Sequence, residues 1–154
     1  MTEKSLHNLV SELAGLTANV PHLIANLANT AAFLFEKLDN VNWAGFYVLE
    51  GGRLVLGPFC GRPACIEIPV GKGVCGTAVS EDCTQLVPDV HLFPGHIACD
   101  SASRSEIVIP LHLDGSIWGV LDIDSPVKGR FGTQDRLLLE NLAQVIEDFL
   151  KTSG

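Results

Sequence analysis

An α+β layered domain, with helices flanking an antiparallel sheet of about six strands, is the fold class this sequence predicts. Three observations carry the prediction. Most strand-like segments are joined by tight turns rather than crossover helices, two amphipathic helical stretches precede the first strand, and a third closes the chain. With 154 residues, 47% of them hydrophobic, the chain is long enough for one self-sufficient core and short for two. One domain over 1–154 is therefore expected.

Between residues 5 and 18, Leu6, Leu9, Val10, Leu13 and Leu16 recur at helical spacing. A second stripe runs through Leu23, Ile24, Leu27, Ala31, Leu34 and Leu38, with Pro21 fitting its first turn. Residues 41–49 (VNWAGFYVL) are β-branched and aromatic, hence a strand, and Gly51-Gly52 turns it into RLVLGPF at 53–59. ACIEIP at 64–69 makes a third strand, ended by Pro69 and followed by the turn-rich VGKGVCG. A short helix from near Cys75 to about Glu81 and the brief strand QLV at 85–87 come next.

From Pro88 to Arg104 periodicity stops, and a loop of that length in a compact domain is disproportionately functional. SEIVIPLHL (105–113), Asp114-Gly115 and SIWGVLDIDS (116–125) then form the clearest hairpin in the sequence. A helix from about Gln134 to Lys151 follows, capped by Thr133, with Leu137, Leu138, Leu142, Val145, Ile146, Phe149 and Leu150 on its apolar side.

Charge excludes some functions. Ten Lys and Arg stand against 18 Asp and Glu, a net charge near -8, so the basic surface that nucleic acid requires is missing. No segment approaches the roughly 18 apolar residues of a membrane span, and MTEKSLHNLV lacks the features of a secretory leader. A cytoplasmic location is expected. In that reducing compartment the five cysteines are buried apolar groups, redox groups or nucleophiles rather than permanent staples.

Cys99 has the most reactive context, in the long loop beside His96, Asp100, Ser101, Ser103 and Arg104. A redox thiol usually needs a second thiol to discharge its sulfenic acid, and Cys65 and Cys75 are available. Strand alternation puts Trp118, Val120, Asp122 and Asp124 on one face. With Glu106 from the preceding strand, the two aspartates either sit solvated at a strand end or line a concave site for a cation or a held proton. Trp43, Gly45 and Tyr47 share a face, where the glycine leaves room for a ligand between two aromatics, although both rings would serve equally as core. His91, His96 and Cys99 match no strong zinc spacing, and GKGVCG lacks the order of a phosphate loop. A Ser or Cys hydrolase lacks a placed partner for its histidine.

NWAGFY (42–47), LGPFCGRPAC (56–65), IPVGKGVCGTA (68–78), FPGHIACDSASRSEIVIP (93–110) and GVLDIDSP (119–126) together resemble the free methionine-(R)-sulfoxide reductases, small enzymes of GAF fold. The resemblance implies Cys99 as catalytic thiol, Cys65 as its resolving partner and Cys75 as a third cysteine with an exchange role. It implies that Glu106, Asp122 and Asp124 hold the substrate ammonium and assist at the sulfoxide oxygen, and that Trp43 and Tyr47 flank the methyl-sulfur end. It also implies no tightly bound cofactor, thioredoxin as external reductant and a homodimer as a plausible assembly. Cys60 departs from the pattern, and Cys83 is an extra thiol. The competing class is a non-catalytic GAF sensor, which would bind an effector without consuming methionine sulfoxide.

Overall fold

The computed structural model describes residues 3–97 and 99–153, without the side chains of Glu3 and Leu6. Two helices, α1 (Glu3–Thr17) and α2 (Leu23–Lys37), lead into β1 (Trp43–Glu50), β2 (Arg53–Gly61) and the short β3 (Glu67–Pro69). Helix α3 (Gly73–Glu81), β4 (Gln85–Val87), a 3-10 turn at Val90–Leu92, the hairpin β5 (Ser105–Leu113) and β6 (Ser116–Ser125), and α4 (Thr133–Thr152) complete the order. The strands form one sheet in the order β3-β2-β1-β6-β5-β4, every neighbouring pair antiparallel. The α+β, GAF-like expectation of six strands flanked by helices describes this sheet.

Both faces of the sheet are covered, which explains why β5 reads as a nearly continuous apolar run. Ala44, Phe46, Ile107, Ile109, Leu121 and Ile123 pack under α1, α2 and α4. On the other face Trp43, Tyr47, Val108 and Val120 meet Val74, Cys75 and Ala78 of α3. Among the described residues, the first face is a core with three helices over it, while the second is covered by the short α3 and by loop residues such as Val90 and Phe93.

Four local expectations shift. Helix α3 begins at Gly73, two residues before Cys75, where Gly73 takes φ +62. Pro21 lies before α2, which starts at Leu23 after His22 in extended conformation. Thr133 is the first residue of α4; Gly132 is the cap, and its N–H donates to Asp135 Oδ2 at 2.9 Å.

The third strand covers only 67–69 rather than 64–69, because the chain leaves the sheet at Gly61. There φ is +138 and a Cβ would stand 2.5 Å from Trp43 Cδ1, so only glycine can make the exit. Pro63, with no N–H to offer a ladder, follows two residues later.

Trp118 is the further correction. Leu111 pairs with Gly119 and His112 with Ile117, so Trp118 is an extra residue in β6, a bulge. It packs with the helix-side core, edge-on to Phe46 at 6.5 Å, and not with Asp122 and Asp124.

Candidate active site

The carboxylates are gathered by pairing. Asp124 stands between Trp43 on β1 and Glu106 on β5, and Asp122 between Gly45 and Val108. Two adjacent rows of the sheet thus bring all three acids to the face under α3, where Glu106 is 7% and Asp122 5% exposed. Cys75, in the first turn of α3, closes on them from above.

The 88–104 loop forms the remaining wall. It is tied to the sheet by Val90 N–H to Arg104 O (2.9 Å) and Arg104 N–H to Ser125 O (2.8 Å). Asn42, just before β1, donates through Nδ2 to Asp100 Oδ2 and to Ser103 Oγ, both at 3.1 Å. Asp100 Oδ1 accepts from Ala102 N–H at 2.9 Å, so that carboxylate organises the loop as well. Sequence reasoning missed Asn42. Its signal was only its place beside Trp43 in NWAGFY; its backbone N–H donates to Asp124 O at 3.0 Å, which couples loop anchor and acid.

The cavity measures about 40 Å³ and is lined by Trp43, Tyr47, Cys75, Cys99, Glu106, Asp122 and Asp124, with His96, Ile97, Asp100 and Ser103 from the loop. Seven of the eight sequence-predicted site residues therefore share one cavity. The eighth, Cys65, is disulfide-bonded to Cys99 with a Cα–Cα distance of 5.4 Å. In this oxidised state the cavity is of the size of a few water molecules.

Trp43 and Tyr47 do not sandwich an open slot. Phe59 from β2 lies against Trp43, ring centroids 5.2 Å apart, and a Cβ on Gly45 would meet Phe59 Cβ at 2.3 Å. The glycine admits Phe59, not a ligand, and leaves the aromatic wall to face the cavity from one side. Trp43 Nε1–H donates to Arg62 O at 3.1 Å and Tyr47 O–H to Cys65 O at 2.8 Å, so both rings steer the segment that carries Cys65.

Burial dominates the electrostatics. It pushes Glu106 well above the usual carboxylate range, helped by Asp122 and then Asp124, and pushes Asp124 up in the same way, helped by Asp122. Burial thus strengthens proton binding at two acids of the cluster, Glu106 and Asp124. Cys75 is held as a neutral thiol by burial and by Asp122, Glu106 and Asp124. Tyr47 is likewise kept protonated, first by burial and then by Asp122. His96 is pulled below its ordinary value by burial and by His91. One oxygen each of Asn42, Asp122 and Asp124 is buried without a hydrogen-bond partner.

The remaining thiols stand apart. Cys60 is half-buried against the helix-side core, and Cys83 is exposed after α3, 3.7 Å from Glu81 Oε2. His91 pairs with Asp89 at 3.2 Å, and Cys99 is bonded to Cys65. Among the described residues, no helix is long and apolar enough to cross a membrane.

A GAF-domain family model matches residues 9–148. Over 146 residues the chain is 53% identical to the free methionine-R-sulfoxide reductase of Escherichia coli (strain K12), covering 95% of this chain and 88% of that protein. Among solved structures, the reduced form of the fRMsr of Staphylococcus aureus superposes with a TM-score of 0.91 at 53% identity, covering 94% of each chain. The free methionine-R-sulfoxide reductase of Neisseria meningitidis in complex with its substrate gives 0.91 at 43% identity, covering 96% of this chain and 90% of that one.

Proposed function

This chain belongs to the GAF-domain free methionine-R-sulfoxide reductase family, and from that premise we propose that it reduces free L-methionine-(R)-sulfoxide to L-methionine with Cys99 as the attacking thiol. The observation that supports this most is the convergence, in one cavity, of Cys99 with the buried Glu106 and Asp122 and the half-buried Asp124, Cys99 itself being bonded to Cys65.

In the reduced enzyme the Cys99 thiolate attacks the sulfoxide sulfur while Glu106 or Asp124, held protonated by burial, gives a proton to the oxygen. The oxygen then passes from the substrate sulfur to Cys99 Sγ as the sulfur–sulfur bond formed in the attack breaks, so that methionine leaves with the electron pair and Cys99 is left as sulfenic acid. Cys65 attacks that sulfur, releasing water and forming the disulfide. An external dithiol, thioredoxin by class, restores both thiols by exchange. The electrons come from that dithiol, and no bound cofactor enters the cycle. Cys75, buried and neutral, is a reserve for exchange rather than the first resolving thiol.

The carboxylates account for a free amino acid as substrate. A methionine residue inside a protein has no ammonium, so Asp122 and Asp124 favour the free form. Trp43 and Tyr47 supply the apolar wall for the methyl-sulfur end. We read residues 1–154 as one catalytic domain, acting in the cytoplasm, where thioredoxin is available.

A coupled assay on free R and S methionine sulfoxides, followed by mapping of the accumulated disulfide, tests the reading. Consumption of the R form with a Cys65–Cys99 bridge is expected. Tight binding of another small molecule with no sulfoxide consumed would replace the enzyme by a sensor.

A further inference from the structure

Cys75 and the acids beneath it form a donor set as well as a proton store. Cys75 Sγ and one oxygen each of Glu106 and Asp122 lie within 4.8 Å of one another, and all three residues are buried. A second observation points to a ligand: Asp122 Oδ1, on a residue only 5% exposed, has no hydrogen-bond partner, and neither has Asp124 Oδ1 on the same sheet face. An unpaired buried carboxylate oxygen is costly. A sulfur with two or three carboxylate oxygens suits a thiophilic divalent ion such as Zn²⁺ and does not suit Mg²⁺, which prefers oxygen alone.

We propose that Cys75, Glu106 and Asp122 form a binding site for a thiophilic divalent cation of the Zn²⁺ class, which blocks the substrate site by occupying the place of the ammonium group. Binding releases the Cys75 proton and the proton held by Glu106; the metal–sulfur and metal–oxygen bonds replace them. The blocking half of the proposal rests on the reading of these acids as the ammonium anchor. It gives Cys75 a consequence independent of disulfide exchange, since its sulfur would make the site selective for soft metals.

The test uses Co²⁺ as a spectroscopic stand-in for Zn²⁺. One sample is the oxidised native protein with Cys60 and Cys83 alkylated; the other has Cys60, Cys65, Cys83 and Cys99 all changed to serine, leaving Cys75 as the single thiol. One Co²⁺ per chain with a thiolate-to-cobalt charge-transfer band, bleached by Zn²⁺ and lost on Cys75→Ser, is expected. Absence of the band from both samples, or its survival in Cys75→Ser, overturns the site. In the four-serine protein, added methionine sulfoxide should displace Co²⁺. A band that persists at saturating sulfoxide overturns the blockade. A band in the native sample, when the same protein reduced by a dithiol consumes no sulfoxide, supports the metal site and removes the enzymatic reading instead.

Discussion

The phenolic hydroxyl of Tyr47 donates to the carbonyl oxygen of Cys65 over 2.8 Å, so a cavity-facing side chain of β1 holds the backbone of one half of the disulfide. Cys65 lies where the chain has left the sheet between β2 and β3, and this bond, with Trp43 Nε1–H to Arg62 O, fixes the segment. Tyr47→Phe keeps the ring against Trp43 and deletes the bond. The expected result is an unaltered first turnover, slower appearance of the disulfide and lower steady-state turnover. Loss of one such bond costs about 1 kcal/mol, or about 3 °C in Tm for a chain of this size. Rapid-quench kinetics separate the two phases; a slowed first turnover would place Tyr47 in the chemical step.

The thiols divide the cycle in the same way. Cys99→Ser is expected to form no methionine even in a single turnover. Cys65→Ser should release one methionine per active site and then stall with sulfenic acid on Cys99, trapped by a dimedone-type reagent and located by mass spectrometry. Multiple turnovers with thioredoxin in Cys65→Ser would transfer the resolving role to Cys75.

Asp122 is buried against Cys75 and Glu106, and its charge is the natural anchor for an ammonium group. Asp122→Asn removes that charge while keeping the shape. A hydrogen bond to a charged partner contributes about 1.5–3 kcal/mol, so the dissociation constant for methionine sulfoxide should rise tenfold or more. Direct binding to the Cys99→Ser protein measures it without turnover. An unaltered dissociation constant would move Asp122 from binding to proton handling.

This site was partly legible in the sequence. The period-two alternation of LDIDS correctly put Asp122 and Asp124 on one face, because no bulge lies between them. The same rule failed at Trp118, where an extra residue moves the side chain to the helix-side core; a bulge leaves no mark in an alternation pattern. The glycine of NWAGFY marked a close approach, yet whether a ligand or Phe59 makes it depends on the β1–β2 register, which also shifts near Gly45. Asn42 is important through contacts with Asp100 and Ser103, 58 and 61 residues away, which no local pattern reveals. Loop context singled out Cys99 and left Cys65 and Cys75 as candidate second thiols, and the family motifs divided the roles between them; burial of Cys75 depends on how α3 docks on the sheet.

Glu106 sets a pH dependence of stability. Its folded proton affinity lies above that of the unfolded chain because of burial and then Asp122. Between the ordinary glutamate value, about 4.3, and the raised one, the folded state binds more protons than the unfolded state, so stability falls as pH rises through that window. Each tenfold gain in proton affinity corresponds to about 1.4 kcal/mol. Glu106→Gln abolishes this loss. Thermal melts of both proteins should agree best near pH 4 and diverge toward pH 8, the variant becoming the more stable; parallel curves would mean that Glu106 titrates normally.

His112 gives the opposite sign. Burial pulls its proton affinity down, but hydrogen bonds with Asp82 and Glu147 outweigh it and leave the group above its ordinary value. Nε2 lies 2.6 Å from Asp82 Oδ1 and Nδ1 3.0 Å from Glu147 Oε2, so the imidazolium bridges the end of α3 to α4 across β5. For a base strengthened by folding, the stabilisation is fully present below the unfolded value, about 6.5, and disappears as pH rises through the folded one. The side chain is 39% exposed, so solvent screens the pair, and exposed pairs contribute about 0.2–1 kcal/mol. His112→Gln should therefore destabilise the protein by that amount at pH 5.5 and by progressively less toward pH 9. Urea titrations at the two pH values check it, and a deficit that grows with pH would show that the neutral imidazole, through packing rather than charge, is what joins the two helices.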